Sequence, residues 1–266
     1  MRREITGGRQ PTNIKNVAKF ILRSPRSLPT LGRKFLDRIV HRRRNAPSAA
    51  NSRWIASNSI DAADLCKALG PELWEETLSV AALIEKHGRP IVNSLDFDIG
   101  GGGDFRFLYW LVRYRKPLVV IETGVAAGWT THAILAAMER NGRGHLYSSD
   151  FPYFRVDRPE TYIGCVVPES LRHRWDLHLT GDDDALPKIL ADVEQVDLFH
   201  YDSDKSWNGR KRAVQRVSLK MTSDGLILID DILDNSWFRD HAKRAGSSFS
   251  VINGRVGVIG ELPVKQ

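Results

Sequence analysis

Along this chain, short unbroken apolar runs alternate with stretches whose apolar residues recur every three or four positions. Leu118-Val119-Val120-Ile121 contains no polar residue and predicts a strand buried on both faces. Small residues follow from Glu122 to Gly128, and Thr130 to Arg140 then reads as a helix stopped by Asn141-Gly142 and Gly144. His145 to Ser149 predicts the next strand, ending on Asp150. Trp175 to Thr180 predicts a third, closed by Gly181-Asp182-Asp183-Asp184; Val196 to Tyr201 a fourth, leading into Asp202-Ser203-Asp204-Lys205; and Leu226 to Ile229 a fifth, ending in Asp230-Asp231. Helices are expected between them over Ala185–Ala191, with Pro187 in the first turn, and over Trp207–Met221. A helix near Ser236–Arg244 precedes Phe249–Ile252 and Val256–Ile259, which an Asn253-Gly254 turn would join as a hairpin. This alternation predicts an α/β architecture: a doubly wound, mostly parallel sheet of seven strands with one antiparallel strand.

The N-terminal part has a different pattern. From Asn13 to Arg23, Ile14, Val17, Ala18, Ile21 and Leu22 share one helical face, and Ser24-Pro25 ends the run. A second stretch, Leu31 to Arg44, puts Leu31, Phe35, Leu36, Ile39 and Val40 near one face. Ala46 to Asn58 is mostly small and polar, Trp54-Ile55 apart, and reads as a linker. Ser59 is the expected cap of a helix running to Leu69 and ended by Gly70, and Pro71 suits the first turn of the next, through Trp74 and Ile84 to Lys86, with Gly88 as its stop. These two helices are expected to cover one edge of the sheet. Gly100 to Gly103 precede Asp104, placed to cap a helix over Phe105–Arg115; four glycines there permit close backbone approach to an anionic group, or a hinge. Phe151 to Pro168, aromatic and proline-containing, is expected to be a loop or lid. The chain thus divides into a basic amphipathic helical extension over 1–46, a linker with accessory helices over 47–95, and the sheet-bearing domain over 96–266.

Composition changes the picture mainly through charge. A 266-residue chain with 42% hydrophobic and 27% charged residues can bury a full core. No apolar run approaches the ~20 residues needed to span a bilayer. Cys66 and Cys165 form no metal-ligand pattern and fit buried thiols in a reducing compartment, so a cytoplasmic location is expected. Residues 1–46 carry 13 Lys and Arg against Glu4 and Asp37, a net of +11, whereas the remainder carries 26 against 30, a net of −4; together they give the +7 of the whole chain. The body therefore offers no case for nucleic-acid binding. The basic helices could pack on the body or on a sister subunit of a homo-oligomer, lie through residues 13–44 on the inner face of an anionic membrane, or serve as an Arg-rich transit segment.

Every expected strand carboxyl end is acidic: Glu122, Asp150, Asp182, Asp202 and Asp230-Asp231. Ligands of open α/β sheets bind beyond these ends, so acids gathered there call for hydroxyls, amines or a cation among them. Pro117 to Asp150 by itself is half of a nucleotide-binding β-α-β unit. Glu122-Thr123-Gly124-Val125-Ala126-Ala127-Gly128 resembles the first motif of class I methyltransferases that use S-adenosylmethionine, and differs from the dehydrogenase G-x-G-x-x-G, which needs a glycine at position 126. The resemblance covers about Asp96 to Glu261 and implies a Rossmann-like fold. It further implies that Glu122, Thr123, Gly124, Gly128, Asp150, Gly181, Asp182 and Asp202 border the cofactor, Asp150 holding the ribose hydroxyls and Asp182 meeting the adenine amino group. Asp202-x-x-Lys205 followed by Asp230-Asp231 resembles the metal-dependent, catechol O-methyltransferase-like type, with Asp231 where those enzymes have Asn. His200 to Trp207 also looks like bacterial methyltransferases of sugar and polysaccharide pathways.

The implied chemistry is methyl transfer to a hydroxyl of a sugar or other small-molecule or glycan acceptor. Asp202, Asp230 and Asp231 would hold Mg²⁺ or another divalent cation, which suits hard oxygen ligands, and Lys205, with Asp202, would carry catalysis, the lysine taking the hydroxyl proton. The same acids could instead bind substrate without metal, and Lys205 could be a plain ion pair. His200, inside a strand, reads as a core histidine more than as a base; Asn235 and His241, just past the fifth strand, could reach the acceptor pocket but read more as surface helix positions; Trp129 reads as packing more than as a cofactor contact. Two rivals remain: an NAD(P)-dependent oxidoreductase, disfavoured by the glycine spacing, and a non-catalytic methyltransferase-like binding protein.

Overall fold

The run Val119–Ile121 is apolar because its residues serve two cores at once. In the computed structural model, which describes residues 12–25, 28–33, 44–100, 102–246 and 248–262, Val120 packs with Leu146, Leu198 and Leu226 on one face of the sheet. Its neighbour Ile121 packs with Phe199, Ile227 and Val251 on the other. Successive side chains of a strand point to opposite faces, so a strand covered on both sides has no position for a polar residue.

The strands are β1 (Ser59–Ile60), β2 (Val119–Thr123), β3 (His145–Ser149), β4 (Trp175–His178), β5 (Val196–Tyr201), β6 (Met221–Ile229), β7 (Phe249–Ile252) and β8 (Val256–Ile259). They form one sheet in the order β1-β7-β8-β6-β5-β2-β3-β4. Only β8 runs antiparallel, against β6 and β7. The expected doubly wound sheet with one antiparallel strand is therefore present. It has eight strands and not seven, because Ser59-Ile60 pairs with Val251-Ile252. The helix that Ser59 was expected to cap begins after it, with Asp61 accepting from the Asp64 N–H.

One face of the sheet carries α3 (Ala62–Leu69), α4 (Pro71–Asn93), α5 (Phe105–Arg115) and α6 (Trp129–Asn141); the other carries α2 (Ala49–Asn58), α7 (Asp182–Asp192), α8 (Trp207–Val217) and α9 (Trp237–Ala245). α2 replaces the expected linker. Ser48 caps it, and its two large apolar residues dock: Ile55 is buried among the second core, and the Trp54 ring lies 5.4 Å from that of Phe249. Small residues left that segment without a periodic signal, and two anchors sufficed. α4 runs through Gly88 to Asn93, because Gly88 is there to admit the Trp129 ring: a Cβ on it would lie 2.7 Å from that ring. α7 starts at Asp182, three residues earlier than expected, so Pro187 lies inside it.

At the N-terminus, α1 (Ile14–Arg23) packs on the body, its Asn16 amide donating to the carbonyls of Phe154 (3.2 Å) and Val156 (2.6 Å). Helical turns recur over 28–33, where Arg33 pairs with Asp183 at 3.2 Å. The rest of the expected second amphipathic stretch, through 43, lies outside the described residues. No helix among the described residues is long and apolar enough to cross a membrane. Cys66 and Cys165 are both free, and burial pushes both thiols up.

Candidate functional site

The strands end in phase, and that brings the acids together. Thr123 stands beside Ser149 on one side and Tyr201 on the other, and Tyr201 beside Ile229. The ladder continues one residue further: Gly124 N–H donates to Ser149 O, Asp202 N–H to Thr123 O, and Asp230 N–H to Tyr201 O. The order in which the chain adds strands reverses between the parallel neighbours β2 and β5, the switch point where such sheets bind ligands. Gly124 sits at that point with φ 84°, and a Cβ on it would lie 2.5 Å from the Asp202 carbonyl oxygen. Gly128 (φ 94°) likewise lets the Gly164 backbone approach, a Cβ there falling 2.8 Å from Gly164 Cα. Both glycines of the motif are thus required by left-handed backbone and close packing.

Glu122 stands beneath the glycine turn. It is wholly buried, with Oε1 accepting from Thr130 (2.6 Å) and Oε2 from Thr131 (2.6 Å) and Ser148 (3.0 Å). Its carboxylate ties the first turn of α6 to the sheet, underneath the glycine turn. His200, also buried, sits beside it with Nδ1 3.6 Å from Oε1, which is the core role expected of that histidine. Asp150 Oδ2 accepts from the N–H groups of Val125 (2.9 Å) and Ala126 (2.8 Å), and Oδ1 from Phe151 (2.7 Å), so it shapes the turn that precedes α6. Asp182 is buried and accepts from Ser149 Oγ (2.8 Å) and from Ser203 Oγ, and Thr123 Oγ1 lies within hydrogen-bond distance of Ser203 Oγ (3.1 Å). Gly181 (φ 77°) caps α7 with the Phe151 ring directly against it.

Asp202, Asp230 and Asp231 converge, one oxygen of each lying within 4.8 Å of the others. Such a set of hard, charged oxygens fits a divalent cation. In this arrangement their charge is met by side chains. Lys205 Nζ bridges Asp202 and Asp231, the latter at 2.9 Å. Arg255 forks onto both oxygens of Asp230 (2.8 and 3.1 Å) and reaches Asp231 at 3.1 Å. Burial works against the Asp230 charge, yet the Arg255 hydrogen bonds and the charges of Lys205, His200 and Arg255 outweigh it and hold the carboxyl below its ordinary range. Asp231 has φ 52°, a left-handed turn that aims its side chain back at Asp202 and Lys205. The expected glycine run borders this cluster: at Gly103 a Cβ would lie 3.5 Å from Asp230 Oδ2 and 3.1 Å from Thr130 Cγ2.

Two supports were missed by sequence reasoning. Arg210 is fully buried and donates to the carbonyls of Asp230 (3.1 Å) and Asp231 (2.8 Å) and to Asn235 Oδ1 (3.2 Å). The signal was available, because Arg210 shares a helical face with Ala213, Val214 and Val217. Asn235, read as a surface position, is buried and donates to the Lys205 carbonyl at 2.7 Å. Beside Lys205 opens a cavity of about 290 Å³ lined by Asn45, Pro47, Ser203, Asp204, Lys205, Ser206 and Asp234. Burial and the Asp231 charge raise the Asp234 carboxyl. The chain preceding α2 closes one side: Asn45 Oδ1 accepts from the Trp207 N–H (2.8 Å), and the Arg44 guanidinium lies 3.4 Å over the Trp207 ring.

Residues 121–232 match the model of a family described as "Methyltransferase domain". No curated protein matches the sequence. Among solved structures, a protein from Staphylococcus aureus assigned as a caffeoyl-CoA O-methyltransferase is similar at TM-score 0.51 and 12% identity, over 67% of this chain and 92% of that one. A methyltransferase from Geobacter sulfurreducens gives 0.49 and 18% over 67% and 88%. An O-methyltransferase from Bacillus cereus, solved in complex with SAH, gives 0.48 and 16% over 71% and 90%. At these identities the likeness is one of fold.

Proposed function

We propose that this chain, whose residues 121–232 match a family described as "Methyltransferase domain", moves the methyl group of S-adenosylmethionine to a hydroxyl of a sugar or glycoconjugate. The observation that carries the reading is the convergence, on one sheet edge, of the Gly124 turn with the Asp202-Lys205-Asp230-Asp231 cluster and a polar cavity beside it. The lining of Asn, Ser, Lys and Asp side chains supports a polyol acceptor, which offers a hydroxyl to each of them. A planar phenol would call for more apolar walls.

In the proposed reaction the acceptor oxygen attacks the methyl carbon, the carbon–sulfur bond breaks, and S-adenosylhomocysteine leaves. Asp150 and Asp182 hold the backbone turns that bound the nucleoside. Lys205 is the candidate to take the hydroxyl proton, and in taking it becomes the positive charge beside the acceptor oxygen. Asp202, Asp230 and Asp231 would hold a divalent cation such as Mg²⁺, which when bound supplies Lewis-acid stabilisation of an oxygen anion. Positioning is the main contribution of the remaining residues.

The test is transfer of labelled methyl from S-adenosylmethionine to a panel of free sugars, glycolipids and phenols, with calorimetry of S-adenosylmethionine and NAD alongside. We expect heat with S-adenosylmethionine alone and label on sugar hydroxyls, lost in EDTA and restored by Mg²⁺. Heat with NAD alone would overturn the methyl-transfer reading. Label on phenols only would move the acceptor class, and full activity in EDTA would remove the cation.

A further inference from the structure

α1 is docked by one face and, among the described residues, unpartnered on another. Asn13 N–H and the Asn16 amide bond the 154–156 backbone, Phe20 packs edge-on against Phe151 (5.9 Å) and Phe154 (5.1 Å), and Arg23 meets Glu160 at 3.2 Å. These contacts fix the rotation of the helix about its axis. The outward side then carries Ile14 (81% exposed), Ala18 and Leu22 (83% exposed), one turn apart, with Leu28 (53% exposed) just beyond. Lys15, Lys19 and Arg23, all exposed, border this stripe along one side.

We propose that this face of α1 docks on an anionic lipid bilayer, the apolar stripe entering the headgroup boundary and the bordering cations meeting lipid phosphates. Such a stripe with basic flanks is the form of a helix that lies in a membrane interface. Charge favours this occupant over a second copy of the chain. The first 46 residues carry a net of +11 and the remainder −4, so two such ends meeting would repel, whereas an anionic surface attracts this end selectively. α1 sits on the loop that follows β3 and Asp150, at the carboxyl edge of the sheet. The inference does not depend on what the site catalyses.

The experiment is co-sedimentation of the full chain with phosphatidylglycerol-containing vesicles and with pure phosphatidylcholine vesicles, at low and high salt. We expect binding to the anionic vesicles, weakened about tenfold or more on neutral ones and by salt. Ile14→Asp/Leu22→Asp and Lys15→Glu/Lys19→Glu should each reduce partitioning at least about tenfold with the melting temperature unchanged. Leu118→Asp/Leu219→Asp, exposed apolar positions at the opposite edge of the sheet, should bind as the parent does. Three results would overturn the proposal: no binding to anionic vesicles, equal loss in the Leu118/Leu219 variant, or a vesicle-free dimer that Ile14→Asp/Leu22→Asp abolishes.

Discussion

Replacing Glu122 by Gln separates two roles that the first motif could give this residue. Its carboxylate is buried and receives three hydroxyl hydrogen bonds, two of them at 2.6 Å. A glutamine keeps one acceptor oxygen, enough for Thr131 and Ser148, and turns an amide donor toward Thr130, whose hydroxyl must then accept. Each bond to a charged group is worth ~1.5–3 kcal/mol and each neutral one ~1 kcal/mol, so the substitution costs about 2 kcal/mol. For a chain of this length that is a fall of roughly 4–8 °C in Tm. Glu122→Leu strands all three hydroxyls and should cost about 4 kcal/mol or more. The assay pairs thermal unfolding with calorimetric titration of S-adenosylmethionine. We expect the Tm to fall while the Kd of Glu122→Gln moves less than about threefold, since 1.4 kcal/mol is needed for tenfold. A Kd raised tenfold or more with Tm unchanged would refute the reasoning, because it would set the carboxylate against the ligand and not beneath the turn.

Two further outcomes follow from the charges around the site and in the core. Lys205→Met removes the ammonium that lies between Asp202 and Asp231, so Mn²⁺ followed by calorimetry should bind the variant about tenfold more tightly; unchanged or weaker binding would show that cation and lysine do not share those oxygens. His132 is buried on α6, and burial first, with the neighbouring His87 charge, lowers it to about 4 from 6.5. The unfolded chain then binds the extra proton between pH 6.5 and about 4, so stability falls as pH drops through that window, and urea titrations of His132→Gln should show a slope shallower by up to ~1.4 kcal/mol per pH unit. An unaltered slope would mean that His132 titrates alike in both states.

The motif residues of this chain were legible because close packing and left-handed backbone leave no alternative to glycine at 124 and 128, and because strands ending in acids announce the edge where they meet. What those acids touch was not legible. In the folded chain Glu122 accepts from Thr130, Thr131 and Ser148, Asp150 from the 125–126 backbone, and Asp182 from Ser149 and Ser203, partners that no local pattern announces. Arg255, on the closing hairpin, carries no local signal and reaches Asp230 only because β8 pairs with β6.

Residue patterning alone dictates the layered α/β plan, since a strand with apolar residues on both faces has to be covered twice, and it places the acids along the chain. Tertiary structure decided the rest. It turned Ala49–Asn58, within a segment of mostly small residues, into a helix on the second core and drew Ser59-Ile60 into the sheet. It paired the acid cluster with Lys205 and Arg255 and left one side of α1 facing outward. Periodicity reports which residues of one element share a face. Which partner covers that face depends on residues a hundred or more positions away.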